Sequence, residues 1–248
     1  MNGVPQSPDD YEPEFRFRYE NLFNNPTGEV PPKIYPEEDI EYGPNWDWDM
    51  GVGEAPEDTW FFYLPIQCMH CEDPPCVKTC PSGALYKTED GIVMLNESIC
   101  IGCEACVENC PYRRVFFNPV IRAPSKCIMC QPLVEKGEPP ICVRVCPAQA
   151  RFFGRLEDPD SPVHIIVEEY KAAVPLLPQF NTDPRIFYVP PVLTPPRPDG
   201  GDRYDMEYLK KLFGDAVAEA SENLIRERGK EDSKLIKVLT EGPNYKVD

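Results

Sequence analysis

Twelve cysteines carry the chemistry this chain can do, and all lie between Cys68 and Pro147 in three sets of four. The first set reads CMHCEDPPCVKTCP: Cys68, Cys71, Cys76, Cys80, then Pro81. The second reads CIGCEACVENCP: Cys100, Cys103, Cys106, Cys110, then Pro111. The third is Cys127 and Cys130, then, after eleven residues, Cys142, Cys146 and Pro147. Closely spaced thiolates, a fourth after a three-residue gap, and a proline directly behind it form the spacing that holds iron–sulfur clusters. Soft thiolate ligands suit such a cluster. Two-residue gaps set neighbouring sulfurs on different corners of one cubane. The proline turns the chain away without needing an N–H partner.

Two other uses of twelve cysteines compete. An even number allows a disulfide framework, but MNGVPQSPDD has no basic region or apolar run of a signal peptide. Three structural zinc sites would also use every cysteine, yet zinc pairs are usually separated by longer spacers than CxxCxxCxxxCP allows. The spacing therefore points to three [4Fe–4S] clusters, with iron bound by all twelve thiols.

The elements that must position these residues are short. The chain has 248 residues, 42% hydrophobic, and 31 prolines, which predict much turn-rich backbone. Net charge is −17, which makes nucleic acid and anionic membrane surfaces poor partners. That acidity reads first as a solvated surface, with a halophilic source as the second reading. No stretch approaches the ~20 apolar residues of a membrane span. The expected class is α+β: tandem ferredoxin-like iron–sulfur units, long Pro-rich irregular segments and a C-terminal helix. The expected domains are a docking segment over 1–59, an iron–sulfur domain over 60–170, and an arm with helical extension over 171–248.

Residues 1–58 lack periodicity and are expected to lie over a neighbouring surface. Trp46, Trp48 and Trp60 are expected packing anchors. WFFYLPI, residues 60–66, reads as a β-prone run. In each of the first two sets a loop carries three cysteines and a short helix around CVKTCP or CVENCP carries the fourth. A hairpin follows each: ALYKTEDGIVMLNESIC, turning at Glu89-Asp90-Gly91, and RRVFFNPVIRAPSKC. The two units form an internal repeat. In two-cluster ferredoxins the fourth cysteine ligates the other cluster. Applied here, cluster 1 takes Cys68, Cys71, Cys76 and Cys110, and cluster 2 takes Cys100, Cys103, Cys106 and Cys80. The stretch ARFFGRLEDPDSPVHIIVEEY reads as β-like, and 171–202 as an extended Pro-rich arm. Met206, Leu209, Phe213, Val217, Ala220 and Leu224 recur at helical spacing, predicting one amphipathic helix over 203–229 that packs on its own domain or on a partner. Ser233–Leu239 reads as a second short helix.

The sequence shows no P-loop and no GxGxxG before a helix. No nucleophile–base pair or paired carboxylates stand out, so no catalytic residue is expected. His70 reads as a polar neighbour of the first cluster, tuning its potential or fixing its loop. His164 reads as structural, in an apolar strand. Arg113, Arg114, Arg122, Lys126 and Arg144 are expected to balance cluster charge.

From about Tyr42 to Pro191 the chain resembles the β subunits of molybdopterin oxidoreductases in the dimethyl sulfoxide reductase superfamily. The likeness runs through GPNWDWDMGVGE, FFYLPIQCMHCEDPPCVKTCPSGALYKTEDGIV, CPYRRVFFNP, KCIMCQPLVEKGEPPICVRVC and RIFYVPPV. It is nearest to the nitrate, selenate and chlorate reductase, dimethylsulfide and ethylbenzene dehydrogenase group. The resemblance implies an electron-transfer subunit, not an enzyme by itself. It would relay electrons between a molybdenum bis-pterin catalytic subunit and a haem b, membrane-anchor or quinone-side partner. It also implies residence outside the cytoplasm by co-export, or on the cytoplasmic face of the membrane. The other reading is a free soluble ferredoxin-type carrier.

Two departures from that family matter. The close relatives carry an aromatic residue at the position of Cys103, giving a three-iron cluster, whereas Cys103 predicts four irons here. They also begin with a further cysteine set that pairs with the third set, and Met1 falls where they are already mid-domain. That set is lost in this lineage, supplied by another chain, or absent from an incomplete sequence. Cluster 3 is therefore expected to close locally on Cys127, Cys130, Cys142 and Cys146. The competing arrangement sends Cys146 to a cluster on another chain.

Overall fold

The computed structural model describes residues 62–194, 200–230 and 232–244. All belong to one compact unit, Trp60–Asp248. The readings for 1–59 and for Trp46, Trp48 and Trp60 lie outside the described residues.

Two matching units form one half. The first has helix α1 (Pro75–Lys78) and the hairpin β1 (Leu85–Lys87) and β2 (Val93–Leu95). The second has α2 (Ala105–Glu108) and the hairpin β3 (Phe116–Asn118) and β4 (Ala123–Ser125). One-turn helices are not stable alone. Here Pro75 starts α1, with its φ already suited to a helix. The Thr79 hydroxyl closes that turn on Pro75 O at 2.9 Å, and Asn109 Nδ2 closes α2 on Ala105 O at 2.8 Å. Thr79 and Asn109 stand at the same place in CVKTC and CVENC, so the repeat extends to the capping bonds. Cys76, Leu85, Val93, Cys106 and Val115 form a small shared core between the units. Both expected hairpins are present, with Leu85 opposite Leu95 and Phe116 opposite Ser125. The first turns at Gly91, φ +83°, and Thr88 Oγ1 accepts the Ile92 N–H at 3.0 Å. The short helices carry the third cysteine of each set rather than the fourth. Cys80 and Cys110 each lie two residues beyond the helix end, where the chain has already turned.

The third set rides on α3 (Gln131–Val134) and α4 (Ile141–Arg144). Beyond it the structure corrects four expectations. Residues 151–170 contain no strand: Pro162–His164 form α5, continuing into a π-helical turn, Ile165–Glu169. Ser161 caps that start by accepting the Val163 N–H, and Pro162 supplies the first helical φ. His164 is thus helical, and its Nδ1 bonds Leu156 O at 2.5 Å. Residues 62–66 are likewise not in a strand among the described residues. The supposed arm folds back: β5 (Val174–Pro175) pairs with β6 (Phe187–Tyr188), and Val174, Leu176 and Val192 are buried.

The fourth correction is that two helices replace the one expected over 203–229. They are α6 (Met206–Phe213) and α7 (Ala216–Arg228). Gly214 sits between them at φ +72°, a left-handed conformation that favours glycine, with Pro178 packed against it. The apolar positions were placed correctly, since Leu209, Phe213, Val217, Ala220 and Leu224 are all buried. They pack with Ile165, Leu176 and Tyr188 in the main core, so this face covers its own domain. The expected second helix is α8 (Lys234–Glu241), capped by Ser233.

Glu227 ties α7 to α8. Its carboxylate takes Lys230 as a partner and accepts the Ser233 hydroxyl at 2.9 Å, while Ser233 caps α8. Lys230 first, then Ser233, hold this carboxyl below the usual carboxylate range. A depressed carboxyl stabilises the fold above its unfolded pKa of ~4.3, and that contribution is lost as pH falls through the folded value. Glu227→Gln is therefore expected to lower the urea midpoint at pH 7. The gap to wild type should narrow below about pH 4.3. An equal gap at pH 7 and at acid pH would show that the charge is not what matters.

Candidate iron–sulfur site

The loop of the first set is held from behind by the returning segment. Arg185 N–H donates to Met69 O at 2.9 Å, and the N–H groups of Glu72 and Asp73 donate to Asp183 O and Thr182 O. Thr182 is buried; its hydroxyl bonds Tyr112 Oη at 2.8 Å and also reaches Cys71. Tyr188 Oη donates to Pro65 O at 2.9 Å. Backbone and side chain thus fix where Cys71 points. No local signal in the sequence marks Thr182 or Tyr112 for this role, because their partners lie about seventy positions away.

The first set gathers with Cys110 from the second. Burial pushes the Cys76 thiol up to about 12, and the charges of Cys68, Cys110 and Cys71 add to that push while Lys126 opposes it. Burial likewise raises Cys71 to about 11, against the Thr182 hydroxyl, with Cys68 and Cys110 adding. Cys68 is raised by burial, opposed by Lys126 and by the His70 N–H, with Cys127 and Cys110 adding. Thiols held this way resist ionisation until a cation or cluster takes them. Arg114 N–H donates to Cys110 Sγ at 3.4 Å.

The second set gathers with Cys80 from the first. Cys80, Cys100, Cys103 and Cys106 line one small cavity. Burial raises the Cys106 thiol, and the charges of Cys80, Cys103 and Cys100 add to it. At Cys80 burial acts upward too. Hydrogen bonds from the backbone of Leu85, Ala84 and Ser82 and from the Ser82 hydroxyl outweigh it, so this thiol sits below its ordinary value. Such N–H donors are what a thiolate ligand requires around its sulfur.

In the third set Cys127 Sγ accepts the Met129 N–H at 3.4 Å, and Cys127 acts on Cys68 of the first set. Cys130 precedes α3 in a left-handed conformation, φ +50°. Cys142 lies in α4, and Cys146 follows its end. Pro140 before α4 parallels Pro74 before α1.

Of the five cations expected near the cysteines, Lys126 is the one whose charge reaches Cys68 and Cys76. Its ammonium donates to Val93 O and, at 2.9 Å, to Cys127 O, so it stands between the first and third sets. Arg114 donates Nε–H to Tyr112 O at 2.9 Å and stacks over Phe116. Arg144 pairs with Glu138 at the surface. His70 accepts the Val93 N–H on Nδ1 at 3.1 Å. Burial first, and Lys126 second, lower its pKa to about 3, leaving the imidazole neutral.

Comparison with known proteins identifies the family. Residues 59–156 match the family described as 4Fe-4S dicluster domain. The chain is 41% identical to the dimethylsulfide dehydrogenase subunit beta of Rhodovulum sulfidophilum, over 93% of this chain and 72% of that one. It is 42% identical to the selenate reductase subunit beta of Thauera selenatis, over 84% and 66%. It is 40% identical to the respiratory nitrate reductase subunit beta of Haloferax mediterranei, over 95% and 71%. No helix among the described residues is long and apolar enough to cross a membrane. The chain belongs to the iron–sulfur β subunits of the dimethyl sulfoxide reductase family, the electron-transfer subunits of respiratory oxidoreductases.

Proposed function

We propose that this chain holds three [4Fe–4S] clusters and relays electrons between a molybdopterin catalytic subunit and a haem- or quinone-side partner. The observation that carries it is the crossed grouping of the first two sets. Cys110 acts on Cys68, Cys71 and Cys76, while Cys80 shares a cavity with Cys100, Cys103 and Cys106. On this reading cluster 1 is held by Cys68, Cys71, Cys76 and Cys110. Cluster 2 is held by Cys100, Cys103, Cys106 and Cys80, and cluster 3 by Cys127, Cys130, Cys142 and Cys146. Bound clusters supply one-electron transfer. The chain's own residues orient the sulfurs, exclude water from Cys71, Cys76 and Cys106, and offer N–H donors to Cys68, Cys80, Cys110 and Cys127.

The partner enters at the second set. Cys103 is exposed. The 100–103 loop touches the 120–122 turn, since a Cβ on Gly102 would lie 2.8 Å from Arg122 O. Ile99, Ile101, Val120 and Ile121 are exposed around that contact, Val120 at 89%. An apolar rim beside an exposed ligand suits a docking subunit. The free-carrier reading draws on a different fact: the buried stripe of α6 and α7 covers its own core and so asks for no partner.

One preparation tests both parts. Anaerobically isolated native material is expected to contain about twelve iron and twelve sulfide per chain, the count for three four-iron clusters, and to elute as a heteromer with a large subunit. A zinc-loaded, colourless chain would defeat the cluster assignment, and a fully metallated monomer would favour the free carrier.

A further inference from the structure

His70 carries a buried polar atom that nothing described satisfies. The residue is 2% exposed, and its Nε2 has no hydrogen-bond partner among the described residues. Which nitrogen holds the proton follows from its neighbours. Val93 N–H donates to Nδ1, so Nδ1 accepts and the neutral ring carries its hydrogen on Nε2. Nε2–H is thus a buried donor in need of an acceptor.

The surroundings say what kind of acceptor. Val93 C=O accepts from Lys126 and Val93 N–H donates to His70. Both groups of one strand residue face the same edge of β2. The imidazole and the ammonium therefore stand side by side, and Lys126 also donates to Cys127 O. This places His70 at the junction of the first and third cysteine sets. Its backbone, at φ +44°, is left-handed, and its N–H turns to Cys68. His70 is among the residues of one broad cleft whose lining also takes in Met129, Cys142 and Val143 of the third set.

Resting on the three-cluster reading, we propose that His70 Nε2–H donates a hydrogen bond to a sulfur of the cluster held by Cys127, Cys130, Cys142 and Cys146. His70 is then a positioning residue that sets the potential of that cluster while sitting in the loop of another. A donor to a cluster sulfur stabilises the reduced, more negative state and raises the potential. The third set is the least like the other two, and this contact ties it to the rigid β1–β2 hairpin.

The test uses the intact metallated protein under redox poise, followed by electron paramagnetic resonance. The third-set signal is identified as the one lost in Cys142→Ser. His70→Leu removes the donor, and His70→Gln keeps an N–H donor together with an acceptor for Val93. At the wild-type midpoint of the third-set cluster, His70→Leu is expected to lower its reduced-to-oxidised ratio about tenfold, which is 59 mV for a one-electron couple. His70→Gln is expected to recover most of that shift. Pulsed resonance on wild type should show an imidazole nitrogen and an exchangeable proton coupled to this cluster. That measurement needs no variant, so it decides the matter even where His70→Leu fails to fold. An unshifted third-set potential, a shift confined to cluster 1, equal shifts in the two variants, or no nitrogen coupling in wild type each overturn the inference. Full iron in both His70 variants, with no shift, would sink His70's role alone. Full iron and an unchanged spectrum in Cys142→Ser would instead sink the three-cluster reading beneath it.

Discussion

Replacing Cys103 by serine or tryptophan is expected to convert one four-iron cluster to a three-iron form while the domain stays folded. The expectation rests on the proposed assignment of Cys103 to cluster 2 and on its place in the fold. Cys76 and Cys106 are packed in the small shared core, so removing either disturbs packing as well as ligation. Cys103 is exposed, and the chain on both sides of it is held by other bonds. Before it, Cys100 N–H donates to Glu97 O; after it, the α2 turn is closed by Asn109. Losing this thiol therefore removes one ligand and little else. Iron analysis should fall by about one in twelve on the proposed count, and a three-iron resonance should appear in the oxidised protein. An unchanged spectrum with full iron would mean that Cys103 holds no iron. Extensive loss of helix signal would mean the site is structural.

Phe213→Ala is expected to destabilise the domain by about 3–5 kcal/mol, the usual cost of emptying a buried aromatic site. Phe213 is 1% exposed and its ring lies 5.9 Å from that of Tyr188. Tyr188 is bonded to Pro65 O, just ahead of the first cysteine set, so the cavity would open directly behind the Cys68 loop. Collapse into it is opposed by Gly214, which is pinned against Pro178 one residue on. Urea denaturation of the metallated chain should show a lower midpoint, with faster iron release at concentrations where wild type retains its clusters. An unfolding free energy within about 0.5 kcal/mol of wild type would place Phe213 outside the cooperative core.

The cysteine spacing, the two hairpins and the apolar stripe of α6 and α7 were legible because each is a local pattern. Ligand gaps are set by neighbours two to four residues away, hairpins by alternation around a turn, and helical faces by a period that survives even where a helix breaks. The break itself was hidden. Gly214 within a periodic stretch costs a helix only about 1 kcal/mol, not enough to mark a break, and its approach to Pro178, thirty-six positions earlier, is visible only in the fold. The stretch 161–170 misled because Val and Ile favour strands, but Ser161 caps and Pro162 starts a helix there.

By itself the sequence determined that twelve thiols would be presented in three compact sets and that the first two would be repeats. That Cys110 would cross to the first set and Cys80 to the second was an expectation of the repeat itself. Tertiary structure alone decided what surrounds those sulfurs. It folds the Pro-rich segment back so that Thr182 and Tyr112 brace Cys71, and it stands Lys126 and His70 on one edge of Val93. The reason is one of range. Ligand spacing is written in the covalent chain, whereas the charge and hydrogen bonding around a sulfur come from residues that only packing makes neighbours.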